Sequence, residues 1–375
     1  MRLGKSVDWI LFGSFLPLLL AGLVTMNSFV RESYFFNRQI LWIAFSLLVF
    51  FIFAHVDWRF LRRGGLLLAL YLFFIGTLLY LQVAGEAVRG SQSWITAGWF
   101  NFQPADFTKL ALVLVLAKYF SRRHVAIAHV RHVVVSGLYA LLPAGLIFLQ
   151  HDFGSAVIIF LIWLGMIMVS GVSKKHLASV CAVSLLLLAG LWFFGFTENQ
   201  KKRIITFVDP FADIQGSGYN VYQSVIAVGS GNLFGKGIGY GTQSRLEFLP
   251  EYETDFIFAA FAEEWGFVGV FMLFALFGVL FFRILVNASR GDTNFEVLYG
   301  LGIAIFFMSH FVIHVGMNIG ILPVTGLPIP FLSYGGSHLL VELAALGILV
   351  GMRRYARAMH KERAEGEEFV GLLAV

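Results

Sequence analysis

Asp106 and Lys109, in the stretch FQPADFTKLALVL, are three residues apart and share a face on a helix that begins at Pro104. An ammonium and a carboxylate inside an apolar run are costly there unless paired or used. The pair has two readings. It is a helix-dipole carboxylate whose salt bridge lets Lys109 tolerate burial, or a cationic site for an anionic ligand. A second group lies in LPEYETDFIFAAFAEEWG. Asp255 sits where polar chain becomes apolar helix, and such an acid either stabilises a helix N-terminus or serves as a general base. Glu251 and Glu253 read as solvated loop charges. Glu263 and Glu264 lie deeper in the apolar stretch and need a partner such as Lys109, Arg245 or a cation. A third group, His310, His314 and Asn318, recurs every four residues. That spacing fits interhelical hydrogen bonding better than a metal pair, because no further ligand is identifiable. Trp94 and Trp99 read as interface-belt aromatics, with sugar stacking as the functional alternative.

The elements that must hold these residues are membrane helices. Hydrophobic residues make up 58% of the 375-residue chain and charged residues 13%, against about half and a quarter in soluble domains. Mean hydropathy is +0.80. Cys181 is the sole cysteine, which excludes an intrachain disulfide and a CxxC site. The net charge of +5 is not a nucleic-acid signal, because what matters in a membrane protein is where the positive charges sit. No cleavable signal peptide is expected, since the apolar run from Val7 to Val30 is long enough to be a first span.

About ten runs approach the roughly 20 residues that cross a bilayer. They are 8–30, 38–55, 64–83, 105–120, 133–150, 154–171, 176–196, 256–282, 295–318 and 336–353. With both termini cytoplasmic, eighteen of the 27 Lys and Arg fall in cytoplasmic segments, eight outside, and Lys109 within a span. Every inside loop is then basic, as the positive-inside rule asks. The chain is expected to be an all-α polytopic membrane protein, with one ten-span domain over 1–358 and a cytoplasmic tail at 359–375. Three irregular segments fall on the outside face: 84–104, the large loop 197–255 between spans 7 and 8, and 319–337 with Pro323, Pro328 and Pro330. The large loop and the start of span 8 together cover 197–265. Irregular backbone at membrane depth must be buried in protein or line a cavity, so a site is expected on that face.

On these residues the chain resembles the SEDS family (shape, elongation, division and sporulation), the RodA/FtsW peptidoglycan glycosyltransferases. GMNIGILPVTGLPIPFLSYGGSHLL is similar to that family's late signature. GKGIGYGTQSRLEFLPEYETDFIFAAFAEEWGFVG and GSQSWITAGWFNFQPADFTKL match two earlier ones. The resemblance covers residues 5–358, and the short N-terminus is more like the RodA branch. Two positions depart from the pattern: Ala105-Asp106 replaces the usual Ser-Glu, and His338 replaces a Ser.

The resemblance implies polymerisation of lipid II into glycan strands at the outer face of a bacterial cytoplasmic membrane, for elongation and rod shape. Asp255 would be the general base. Lys109, Arg245, or a divalent cation (Mg or Mn) held by Glu263 or Glu264 would meet the departing diphosphate. The expected substrate-contacting set is Lys109, Asp106, Trp94, Arg245, Glu263, Glu264, Asn318, Ser333 and Ser337. One base and direct displacement suit an inverting transfer. A class B penicillin-binding protein and other elongation-machinery membrane proteins are the implied partners. The alternative is a lipid II flippase or lipid transporter, since broken helices and buried acids also serve transport.

Overall fold

The computed structural model describes residues 8–28, 33–62, 64–85, 93–97, 100–122, 130–209, 213 and 216–373. It is nearly all helical. The helices are α1 (Trp9–Asn27), α2 (Ser33–His55), α3 (Gly64–Ala84), α4 (Pro104–Ser121), α5 (Val130–Leu149), α6 (Phe153–Val169), α7 (Lys174–Phe194), α8 (Glu198–Val208), α9 (Ser217–Ser230), α10 (Thr242–Arg245), α11 (Ile257–Ser289), α12 (Asn294–Asn318) and α13 (Gly336–Leu373). Each of the ten expected spans overlaps one of α1 to α7 or α11 to α13. Eight of these are long and apolar enough to cross a membrane.

The other two, α4 and α6, are the exceptions that explain themselves. Helix α6 has only 17 residues. Helix α4 has 18 and carries Asp106, Lys109 and Lys118, yet 14 of its residues are buried. Its surroundings are other helices rather than lipid, so it can hold charge provided the charge is paired. Pro104 opens it at the first helical position, where its missing N–H costs nothing.

Helices α4 and α12 form the middle of the bundle. Helix α12 packs on α4, α6 and α11, α2 lies along α13, and α1 lies along α11. Helix α7 is peripheral, with Val180 its only buried residue.

The segments expected on the outside face are more structured than a string of polar loops. In 84–104 the strands β1 (Ile95–Ala97) and β2 (Phe100–Phe102) form an antiparallel hairpin with Ile95 opposite Phe102. The large loop holds α8, α9 and α10. Helix α8 starts with a capping box, in which Thr197 and Gln200 each bond the other's backbone N–H.

Helix α11 is two helical pieces that meet at a kink. Gly266 has φ 64 and ψ −168. An unbroken 33-residue helix would be about 50 Å long, well beyond the roughly 30 Å apolar core. The break frees backbone groups that lipid could not satisfy. The Gly-rich chain before α10 satisfies them. Phe267 N donates to Asn232 O at 2.9 Å and Val268 N to Leu233 O at 3.0 Å. In return Lys236 N donates to Glu263 O at 2.9 Å and Gly237 N to Glu264 O at 3.1 Å.

Candidate active site

Asp255 is held by its backbone. It closes a turn in which its N–H donates to Glu251 O at 3.0 Å. The segment 319–337 clamps that turn. Tyr334 N donates to Glu253 O at 2.9 Å and the Ser333 hydroxyl donates to Thr254 O at 2.9 Å. From α12, Asn318 Nδ2 donates to Asp255 O at 3.0 Å, while its Oδ1 accepts from Ala259 N at 3.1 Å in the first turn of α11. The carboxylate lies against Gly326, where a methyl group would stand 3.4 Å from Oδ2 at a backbone φ of +72.

The broken segment is itself tied to α12. His310 and His314 each face a carbonyl, Pro328 O at 3.2 Å and Leu327 O at 2.7 Å. A carbonyl only accepts, so each Nδ1 carries the hydrogen. The polar stripe on α12 therefore serves the clamp.

The second half of the site is almost wholly buried. Lys109 and Asp106 are 1% and 2% exposed. Lys109 Nζ donates to Asp106 Oδ1 at 3.0 Å, and the Ser337 hydroxyl donates to Oδ2 at 3.2 Å. His338 Nδ1 lies 3.7 Å from the same Oδ1, and its Nε2 lies 2.8 Å from Glu342 Oε1.

One cavity of about 770 Å³ joins both halves. Its wall includes Asp255, Asp106, Lys109, Trp94, Ser337 and His338, together with Arg38, Gln103, Asp152 and Arg203. Gln103 Nε2 donates to Asp152 Oδ2 at 3.0 Å and so joins the start of α4 to the start of α6.

Five of the residues named from sequence as substrate contacts do not line this cavity. Asn318 and Ser333 act on the backbone around Asp255, as described. Arg245 ends α10, where its Nη1 donates to Gly239 O at 3.4 Å. Glu263 accepts from Lys236 Nζ at 2.7 Å, from Thr242 N at 2.9 Å and from Gln243 N at 3.1 Å. Glu264 accepts from the Ser28 hydroxyl at 2.6 Å and from Gly239 N at 3.0 Å. The two glutamates thus anchor the Gly-rich chain. At Glu263 the positive charge comes from Lys236. Among the described residues no group of three or more His, Cys, Asp or Glu could hold a metal ion. Trp99 lies outside the described residues.

Sequence reasoning missed Arg38, Gln103, Asp152 and Arg203 as wall residues. Only Asp152 carried a signal: it caps α6, accepting from Ser155 N at 2.9 Å, in the short His151-Asp152 gap between two apolar runs.

The family of cell cycle proteins that includes FtsW, RodA and SpoVE matches residues 7–358. Peptidoglycan glycosyltransferase MrdB of Escherichia coli K12 is 34% identical over 344 residues, 92% of each chain. Stage V sporulation protein E of Bacillus subtilis is 35% identical over 328 residues, covering 87% of this chain and 89% of its own. Among solved structures, a chain of a peptidoglycan synthase complex that coordinates polymerisation and crosslinking superposes with a TM-score of 0.80. It is 29% identical and covers 94% of this chain and 99% of its own. An aspartate-to-alanine form of the rod-shape-determining protein RodA of Thermus thermophilus gives 0.70, at 30% identity over 93% and 98%.

Proposed function

Because the chain belongs to the FtsW/RodA/SpoVE family of cell cycle proteins, we propose that it is a peptidoglycan glycosyltransferase that polymerises lipid II during cell elongation. The observation that carries this reading is the single cavity in which Asp255 and the Asp106–Lys109 pair meet. Glycosyl transfer needs a base at one end and positive charge at the other.

The sugar hydroxyl of the acceptor attacks the anomeric carbon of the donor. Its proton passes to Asp255 as the new C–O bond forms. The bond from that carbon to the lipid-linked diphosphate breaks, and the diphosphate leaves with the electron pair. Lys109 meets its negative charge. Asn318 and Ser333 act through the Asp255 turn, and Tyr334 both holds that turn by its N–H and lines the cavity. Trp94 offers a flat apolar face to a sugar ring.

The scarcity of basic residues in the segments around the cavity supports a location on the outer side of the bacterial cytoplasmic membrane, with ten spans and both ends cytoplasmic. Polyprenyl tails then stay in lipid while the sugars react. A class B penicillin-binding protein is the proposed partner, in line with the synthase complex that the chain resembles.

The test uses the purified full chain in liposomes with labelled lipid II and that transpeptidase. The wild-type chain forms glycan polymer, and Asp255→Asn forms none while keeping its thermal unfolding midpoint. Translocation of lipid II without polymer would overturn the enzyme in favour of a flippase.

A further inference from the structure

His338 stands where the resembling family usually has a serine, and it lies between two carboxylates. Its Nδ1 is 3.7 Å from Asp106 Oδ1 and its Nε2 is 2.8 Å from Glu342 Oε1. Glu342 is 0% exposed and Asp106 is 2% exposed. Both approaches lie off the ring's N–H directions, so they act as ionic contacts rather than aligned hydrogen bonds. Glu342 is fixed from its other side, where Oε2 accepts from Phe331 N at 3.0 Å.

The charges facing this cluster come from two helices. Helix α4 brings Asp106 and Lys109, and α13 brings Glu342 and His338 itself. Helix α12 brings His310, whose ring is 4.9 Å from that of His338. His310 gives its Nδ1 hydrogen to Pro328 O and leaves Nε2 with no hydrogen-bond partner, the pattern of a neutral ring. Two buried carboxylates therefore face one ammonium. An unbalanced buried charge is costly, and an imidazolium at 338 closes the balance. The ring also lines the reaction cavity together with Lys109 and Asp106.

We propose that His338 is a positioning residue for the diphosphate end of the donor: by neutralising Glu342 and sharing Asp106, it leaves the Lys109 charge available to the substrate. This rests on the glycosyltransferase reading for the identity of the ligand, but its test does not depend on turnover. In the absence of His338 the cluster carries a net negative charge beside the place where a dianionic group must sit.

The experiment titrates a fluorescent polyprenyl diphosphate into the detergent-purified full chain, alongside KM and kcat for lipid II. His338→Ser weakens diphosphate binding and raises KM by roughly ten- to fiftyfold, as expected for one uncompensated buried charge nearby, with a smaller change in kcat. Glu342→Gln alone shifts both the opposite way. The double variant His338→Ser/Glu342→Gln returns toward wild type, because the charge balance is restored. A packing role predicts that all three variants weaken binding, and that pattern overturns the inference. If the wild type polymerises lipid II but all four proteins bind the diphosphate alike, the inference fails and the enzyme stands. If the charge series holds without any polymer, the inference stands and the enzyme reading fails.

Discussion

Lys109 shows how a residue can be structural and chemical at once. Its ammonium is buried, and its bond to Asp106 at 3.0 Å compensates both charges. Removing one partner leaves the other uncompensated, a loss of about 3–5 kcal/mol. Lys109→Met is therefore expected to lower the thermal unfolding midpoint in detergent clearly. Adding Asp106→Asn removes the stranded carboxylate and should recover most of that stability. It should recover no polymerisation, since the positive charge that meets the diphosphate is still missing. Stability and activity separating in this way is the mark of a charge that serves both. If the double variant stays as unstable as the single one, the loss comes from packing rather than charge.

Helix α11 carries the lesson at the level of elements. Its first nine residues, from Ile257 to Trp265, form a separate piece that ends at Gly266. A methyl group on Gly266 would stand 2.2 Å from Gly235 N, and one on Gly235 would stand 2.0 Å from Glu264 O. Loop and helix meet backbone to backbone there, at a φ of +64 that disfavours any side chain. Gly266→Ala is expected to destabilise the protein by at least about 2 kcal/mol through strain and displaced backbone. Unfolding in detergent reads the stability. Limited proteolysis of the 231–241 chain reads the local opening, and unchanged cleavage there would sink the account. Glu263 and Glu264 belong to the same construction. Their burial in an apolar stretch was visible in the sequence, but their partners were not. Those partners are Lys236, Thr242, Gln243, Gly239 and Ser28, up to 236 residues away along the chain.

Across the whole molecule, the end opposite the cavity is closed by charge. Asp8 caps α1 and lies 2.5 Å from Arg283 of α11 and 2.6 Å from Arg353 of α13. Asn287 adds a bond to Asp8 at 2.9 Å and another to Arg353. Three helices are thus pinned at one carboxylate. Burial pushes the Asp8 carboxyl up, but bonds from Asn287 and Arg283 more than offset it, so it lies below its ordinary value. A depressed carboxylate contributes stability that is complete above the unfolded pKa of about 4 and is lost as pH falls through the folded value. The unfolding midpoint should therefore fall on acidification below about pH 4. Asp8→Asn should start lower at neutral pH and lose that part of the acid dependence. An acid profile identical to wild type would show that the cluster does not contribute.

The sequence by itself determined the helical membrane class, the places of ten apolar runs, and the segments 84–104, 197–255 and 319–337 as the ones that had to be special. Those are local properties: hydrophobic length, helix-starting Pro104, and prolines that cannot continue a span. It also singled out Asp255, Asp106 and Lys109, because charge in an apolar run is visible without any fold. Only the tertiary structure decided which charges share a cavity. Asp106, Lys109 and His338 come together from helices more than 200 residues apart, whereas Glu263 and Glu264, only eight and nine residues after Asp255, turn away to hold a loop. Neighbours along a helix point in different directions. Which face meets the cavity is set by the packing of α4, α12 and α13 and by a clamp of hydrogen bonds onto the Asp255 turn from Asn318, Ser333 and Tyr334. Asn318 and Ser333 give side-chain hydrogens and Tyr334 its N–H, but all three end on backbone carbonyls of the Asp255 turn, and no residue type announces which carbonyl is the acceptor.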